Sequence, residues 1–339
     1  MIARLGSRVA IPVHRSALIY SLCTLFAVLA VGVATLSLGR LGISPADLPS
    51  ALTGGAEGKT KFVLERLRGP RLATAMLAGA LLGLSGTLFQ SVTRNPLGSP
   101  DVIGLGAGAG AGVAISSLMF TGIPTPVGAV LGAGAATLIV YLCTGMGFRS
   151  PTRTIIAGIG VAAMAYAVTQ YVVSVKLRDA AAQLAAYLVG SLNAANVDDF
   201  LVSGVVLLVV LPLAMTLPAA IRMMEMGDDT AAGLGIDPDR TRTAAILLSV
   251  VAAGAAVAAA GPVSFVALTA PQIARRVVRS ADVGVLPAAL TGALIMVVAD
   301  LAAQQVPFVE GLPVGVLTLG VGGCYLGYLL LSEHKKGRL

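Results

Sequence analysis

"RGPRLATAMLAGALLGLSGTLFQSVTRNPLGSPDVIGLGAGAG", residues Arg68–Gly110, decides the fold of this chain. From Leu72 to Ser91 it carries no charge and is about as long as a helix needs to cross a bilayer. Arg94-Asn95-Pro96-Leu97 then breaks the run, because Asn-Pro favours a turn, and a second apolar run starts at Val102. Gly79 and Gly83 lie one helical turn apart, as do Gly104, Gly108 and Gly112, and further on Gly128 and Gly132. Small residues at that spacing let helix backbones approach closely where lipid provides no hydrophobic drive for association. The run "GLGAGAGAG" resembles a dinucleotide-binding loop only superficially: the Gly-x-Gly-x-x-Gly order is missing and no strand precedes it.

The same pattern extends along the chain. With 56% apolar and 12% charged residues, the composition cannot cover a water-facing surface of ordinary polarity. Apolar windows predict spans near Ser16–Leu38, Leu72–Ser91, Val102–Phe120, Pro126–Met146, Thr154–Val175, Phe200–Ile221, Thr243–Ala260, Val263–Val278, Leu286–Ala303 and Val314–Leu331. The expected class is therefore an all-α integral membrane protein of about ten helices, residues 1–339 forming one membrane domain. The first window follows Arg4, Arg8 and Arg15 as a secretory signal would, but it is too long for one and is read as a true span.

With the N-terminus inside, the basic residues fall on the cytoplasmic side: the three N-terminal arginines, Arg94, Arg149, Arg153, Arg222, Arg240, Arg242, Arg275, Arg276, Arg279, Lys335, Lys336 and Arg338. The net charge of +7 thus records topology, and no soluble domain is left to hold a nucleic acid. One outer loop runs against the trend, with Lys59, Lys61, Arg66, Arg68 and Arg71. Its Gly58-Lys59-Thr60 imitates the end of a phosphate cradle, but Thr53 stands where the cradle's first glycine is required. ATP hydrolysis is accordingly expected on separate subunits.

Cys23, Cys143 and Cys324 sit singly in different spans, and His14 and His334 in basic tails, so neither a metal site nor a disulfide framework is expected. There is no catalytic constellation, and no cofactor is implied. Asp300 is an ionisable group within the ninth span; an ion-coupled secondary transporter of a small organic solute would want such a group near mid-membrane, but Asp300 is nearly alone and close to the outer end, which favours a hydrogen-bonded structural role. Gly79, Gly86 and Pro96 recur at one offset as Gly254, Gly261 and Pro271. This suggests an inverted repeat, a common plan in transporters.

Seven motifs in order carry a resemblance. They are Arg68-x-Pro70-Arg71, Asn95-Pro96-Leu97 followed by Pro100, the Gly-rich third span, Gly190-Ser191-Leu192, Leu234-Gly235, Pro271-x-Ile273-Ala274-Arg275 and Leu312-Pro313-x-Gly315. Over nearly its whole length the chain resembles the permease subunit of bacterial ABC importers for ferric siderophores, haem and cobalamin, the FecCD-type permeases. It departs from them at Gln272, where His is frequent, and at Gln304, where Arg is common. The resemblance implies a type II importer permease of the bacterial cytoplasmic (inner) membrane. Its partners would be a second permease subunit, identical or homologous, two ATPase subunits, and an extracytoplasmic binding protein or lipoprotein that delivers an iron chelate, ferric siderophore first, with haem and cobalamin open.

By that resemblance the polar segment about 223–241 is the element coupling to the ATPase, with Glu225, Asp228, Asp229, Leu234, Gly235, Asp237 and Asp239. The residues themselves allow two short helices. Asp228 would cap one over Asp229–Leu234, Gly235 would end it, and Asp237-Pro238 would start the next; an ordinary loop is the alternative. Ser150, Pro151 and Thr152 border the cytoplasmic gate by resemblance, or form a short turn. The translocation path would be lined by the fifth span and residues Leu184–Asn193, with Ser174, Gln183, Tyr187, Ser191 and Asn193 as its polar groups. Arg68 and Arg71 are the expected docking cations, three apart and facing outward from one helical face; the alternative is that they anchor in lipid headgroups, as Lys59, Lys61 and Arg66 would.

Overall fold

A computed structural model describes residues 2–5, 9–12, 15–39, 41–118, 123–145, 148, 150–176, 188–279 and 284–335. Ten helices match the ten windows: α1 (Arg15–Ser37), α2 (Gly69–Thr93), α3 (Leu105–Leu118), α4 (Thr125–Cys143), α5 (Pro151–Lys176) and α6 (Val197–Ala214), then α9 (Pro238–Ala260), α10 (Val266–Val278), α11 (Val285–Gln305) and α12 (Val314–Lys335). Between α6 and α9 lie two short helices, α7 (Pro218–Glu225) and α8 (Asp228–Gly233), on the side expected to be cytoplasmic. A small antiparallel hairpin pairs β1 (Ile2–Leu5) with β2 (Val9–Pro12).

The stretch quoted first forms the centre of the protein. The span that includes α2 is 83% buried, against 22% for α1 and 17% for α6. Apolarity alone does not explain this, since α1 and α6 are the more apolar spans; the small residues of α2 do, because Gly79, Gly83 and Gly86 let neighbouring backbones close on it. It packs on α11, α9, α10 and α6. Gly79 and Gly83 meet the backbone of α11 at Gly292 and Ala288, where an added methyl would collide. Gly108 and Gly112 meet Gly132 and Gly128 of α4 in the same way. Both seams are those the glycine spacing predicted.

Two spans are shorter than their windows. At about 1.5 Å per residue, α3 and α10 reach only about 20 Å of the roughly 30 Å hydrocarbon layer. Each is completed by an irregular segment that penetrates from one side: the 3₁₀ turn Pro100–Ile103 before α3, and the link 261–265 before α10. The link brings the Ala267 carbonyl against Gly86 in the inner half of α2. Phe265 ends it in the left-handed region (φ +68°) and packs over Gly322 of α12.

The inverted repeat also has a structural signature. Ser85 of α2 donates to the Ser249 carbonyl of α9 at 2.6 Å, and Ser249 donates back to the Ser85 carbonyl at 2.9 Å. Such reciprocity is what a local two-fold between antiparallel helices produces. At that separation of 164 positions, α2 to α5 fall in order on α9 to α12, and the break before α3 falls on the break before α10. The alignment of Gly79 with Gly254 overshoots this register by about three helical turns, a shift that returns the same helical face and so preserves a small-residue pattern. Correspondingly, Pro96 lies in a turn whereas Pro271 lies inside α10, and Gly254 has no close neighbour where Gly79 is tightly packed.

Candidate functional site

At the outer mouth, the chain order brings α2, the end of α1 and the end of α11 together. The Arg68 guanidinium donates to the carbonyls of Thr35 (2.8 Å) and Leu36 (3.2 Å), and also to Leu38, satisfying the orphan acceptors at the end of α1. Arg71 turns inward. Its Nε and Nη2 bind one oxygen of Asp300, at 2.8 and 2.7 Å, and its Nη1 donates to Asn193 at 2.8 Å. Gln304 donates to the other Asp300 oxygen at 2.7 Å. Asp300 is fully buried, whereas the Arg71 side chain is 21% exposed.

This corrects one expectation and bears out another. Arg68 and Arg71 do not present their guanidinium groups outward from one face, because the unpaired carbonyls of α1 and the buried carboxylate of Asp300 draw them inward. Asp300 has the hydrogen-bonded structural role that its position favours: Arg71 supplies the charge that a buried carboxylate requires, and Gln304 a further donor. Among the described residues, Arg68 by contrast donates to neutral carbonyls, and no carboxylate offsets its positive charge. Lys59, Lys61 and Arg66 are exposed around it.

Of the expected path residues, Ser191 and Asn193 belong to this outer layer. Ser191 N–H donates to the Ala260 carbonyl, and its hydroxyl accepts from Asn193 N–H. Ser174 is exposed on α5, its hydroxyl bound to the Tyr171 carbonyl. Gln183 and Tyr187 lie outside the described residues. Deeper, α3, α5 and the link before α10 enclose a cavity of about 400 Å³ lined by Asp101, Tyr166, Thr169, Gln170, Pro262 and Ser264, among others. Gln170 donates to the Tyr166 hydroxyl at 2.8 Å one turn away, so Tyr166, Gln170 and Ser174 form a polar stripe on α5.

The inner end of α2 carries a second charged cluster. Arg94 leaves the helix in the left-handed region (φ 51°) and donates to Asp228 at 2.7 Å and to the Met224 carbonyl. Arg242, 7% exposed at the foot of α9, binds the other Asp228 oxygen at 2.7 Å and Asp239 at 3.3 Å. Asp228 therefore ties α2 to α9 through the start of α8. Chiefly the hydrogen bond from Arg242, joined by the charges of Arg242 and Arg94 and opposed by burial, holds its carboxyl below the usual range. Asp228 was expected to cap the short helix. Instead α8 begins at Asp228 behind Gly227 without a side-chain cap, because two guanidinium groups outbid a single backbone N–H.

The rest of this segment follows its sequence. Gly235 takes the left-handed conformation (φ +87°) that ends α8, and Asp237 caps α9 by accepting from Arg240 N–H at 3.0 Å. Leu234 is 58% exposed, and Glu225 and Asp229 are exposed as well. At the neighbouring loop, the Ser150 carbonyl accepts from the N–H and hydroxyl of Thr154, Pro151 opens α5, and Thr152 is exposed. Asn95 forms the expected turn, its side chain accepting from Leu97 N–H at 2.9 Å.

Sequence reasoning missed Asp101, Tyr166, Gln170, Arg94 and Arg242 as site residues. Asp101 lay just outside the third window, so the rule that an acid within a span signals function did not reach it. The Tyr166–Gln170 pair was visible as two polar residues one turn apart in an apolar span.

The FecCD transport family matches residues 25–332. The ferric enterobactin transport system permease protein FepG of Escherichia coli (strain K12) is 39% identical over 326 residues, covering 96% of this chain and 99% of that protein. The achromobactin transport system permease protein CbrC of Dickeya dadantii (strain 3937) is 34% identical, covering 91% and 90%. A solved inward-facing metal-chelate type ABC transporter shares the fold with a TM-score of 0.81 at 23% identity, covering 92% of this chain and 98% of that one. This multi-pass membrane chain belongs to the FecCD transport family, and it is a permease.

Proposed function

We propose that the chain is the permease subunit of an ATP-driven importer in a bacterial cytoplasmic membrane and carries a ferric siderophore. The observation that carries this reading is the end-to-end likeness to a ferric enterobactin permease. Two ATPase subunits seat against Leu234, Gly235, Glu225, Asp229 and Asp237, while Asp228 holds that face to α2 and α9. A second permease subunit, identical or homologous, completes the path, and Ser150, Pro151 and Thr152 border its cytoplasmic gate. Ser174, Gln183, Tyr187, Ser191 and Asn193 contribute its polar groups.

An extracytoplasmic binding protein docks over the outer mouth with acidic residues. Arg68, which keeps its charge, is the principal docking cation. Arg71 acts only through whatever charge Asp300 leaves uncompensated. The test is reconstitution with the ATPase and the binding protein of the same system, followed by ATP-dependent uptake of iron-labelled chelates. Uptake of a ferric siderophore above haem and cobalamin is expected, with no phosphate release by the chain alone. Uptake driven by an ion gradient without ATP would overturn the proposal.

A further inference from the structure

The cavity between α3, α5 and the link before α10 lies where the two repeat-related breaks meet. Asp101 comes from the 3₁₀ turn before α3, and Pro262 and Ser264 from the link before α10. Discontinuous helices at a repeat interface are where transporters place their binding groups, because irregular backbone is tolerated there only if it lines a cavity. The cavity holds one carboxylate and no cation among its described lining residues. One Asp101 oxygen accepts from the Ser99 hydroxyl at 3.2 Å, and the other points toward Gly106. None of the ion pairs among the described residues involves Asp101. Asp300, the other carboxylate set within the helical body, has its arginine.

A carboxylate within a span and without a counter-charge is costly and signals a role in transport. We infer that Asp101, with Ser264 and the Tyr166–Gln170 pair, forms a subsite in the wall of the translocation path that takes hydrogen-bond-donating or cationic groups of the passing cargo. The inference rests on the importer reading for the identity of the cargo, though not for the charge of the cavity. Ammonium, amide N–H and hydroxyl groups on the periphery of a chelate are the matching chemistry. A lone carboxylate also keeps such contacts transient, since no fixed cation completes a tight ion-pair cage around the ligand.

The cavity's charge can be read without any cargo. In a background with Cys23, Cys143 and Cys324 replaced by serine, Ser264→Cys and, as a reference nearer the outer mouth, Ser174→Cys are introduced singly. Each is labelled in proteoliposomes with a cationic trimethylammonium and an anionic sulfonate methanethiosulfonate of similar size. The cationic-to-anionic rate ratio is expected to be about fivefold higher at position 264 than at 174, the size of effect one unit charge exerts across a partly hydrated wall. Asp101→Asn should bring the ratio at 264 down to that at 174. Equal ratios at the two positions in the parent, a ratio at 264 that ignores Asp101→Asn, or no labelling at 264 by either reagent would each overturn the proposal. Should Asp101→Asn not fold, the parent comparison alone decides.

Uptake supplies the second readout, in the assembled transporter. Asp101→Asn is expected to lower ferric-chelate uptake severalfold while ligand-stimulated ATP hydrolysis persists, and unchanged uptake counts against the subsite. If the parent imports no ferric chelate at all, the importer reading falls, while the labelling ratio still decides the charge of the cavity.

Discussion

Both ends of α2 carry arginines that reach acids far away in the sequence, but the two clusters are built for different conditions. At the outer end, Arg71 meets Asp300, which is fully buried between α2 and α11. At the inner end, Arg94 and Arg242 share Asp228, whose side chain is 44% exposed. A buried pair is strong evidence of a fixed position, because removing one partner strands a charge out of water. A half-exposed, shared carboxylate is screened by solvent and can exchange partners at little cost. The outer end of α2 is thus clamped to the helix bundle, and the inner end is tied to α8 by contacts that can shift.

The largest expected effect tests the clamp. Asp300→Ala leaves Arg71 beside a pocket with no counter-charge and should lower stability by about 3 kcal/mol or more, read as thermal melting in nanodiscs. Replacing both partners together, Arg71→Met with Asp300→Leu, should recover most of the loss. A melting point unmoved by Asp300→Ala would show that this end is no more fixed than the other.

Next comes the seam beside the clamp. Gly83→Val adds a side chain where the Ala288 carbonyl of α11 leaves no room, and should cost on the order of 1–3 kcal/mol by overpacking. A substitution at Gly134, which has no close neighbour, serves as the control. If the two melt alike, close backbone approach does not hold α2 to α11.

A smaller effect is expected at the inner cluster. Asp228→Asn should cost no more than about 1 kcal/mol, because the pair to Arg94 is exposed and Arg242 retains Asp239. Because the Asp228 carboxyl is held below its ordinary value, its contribution is fully present above about pH 4 and is lost as pH falls through the lowered value. The parent should therefore lose its advantage over Asp228→Asn only in acid. A gap that instead closed between pH 8 and 6 would assign the difference to another group. Coupling is the sharper readout: ATP hydrolysis by the assembled transporter should continue while uptake drops severalfold.

An effect of similar size is expected at Gly235. Gly235→Ala must hold the left-handed backbone with a side chain and should cost about 1 kcal/mol, with the melting point nearly unchanged. Together with Leu234→Glu it should nonetheless uncouple hydrolysis from transport. Full uptake in that double variant would remove this face of α8 from the ATPase contact.

The elements were legible because they follow local rules. Apolar length gave the ten spans, and glycine spacing gave both seams. Asp237-Pro238 and Gly235 announced a helix start and a helix end that the structure keeps. The clusters were less legible. Arg68 and Arg71 were visible as cations, but a sequence does not say whether a guanidinium faces water or a neighbouring helix. Asp228 obeyed the pattern of a capping residue and was claimed by two arginines instead. Asp101 fell outside a window drawn by hydropathy, because the irregular turn that carries it into the membrane is not apolar enough to extend the span.

By itself, then, the sequence determined a membrane bundle of about ten spans and the helix faces that pack closely, since each depends on residues within a turn or two of one another. Only the tertiary structure decided the partners of the charges. Arg71 and Asp300 are 229 positions apart, Arg94 and Asp228 are 134, and Ser85 and Ser249 are 164. Whether such residues meet depends on the rotation and depth of each helix, which are set by packing summed over whole helix faces. A shift of a single turn would part each of these pairs, at the highest cost for Asp300, whose carboxylate lies out of water.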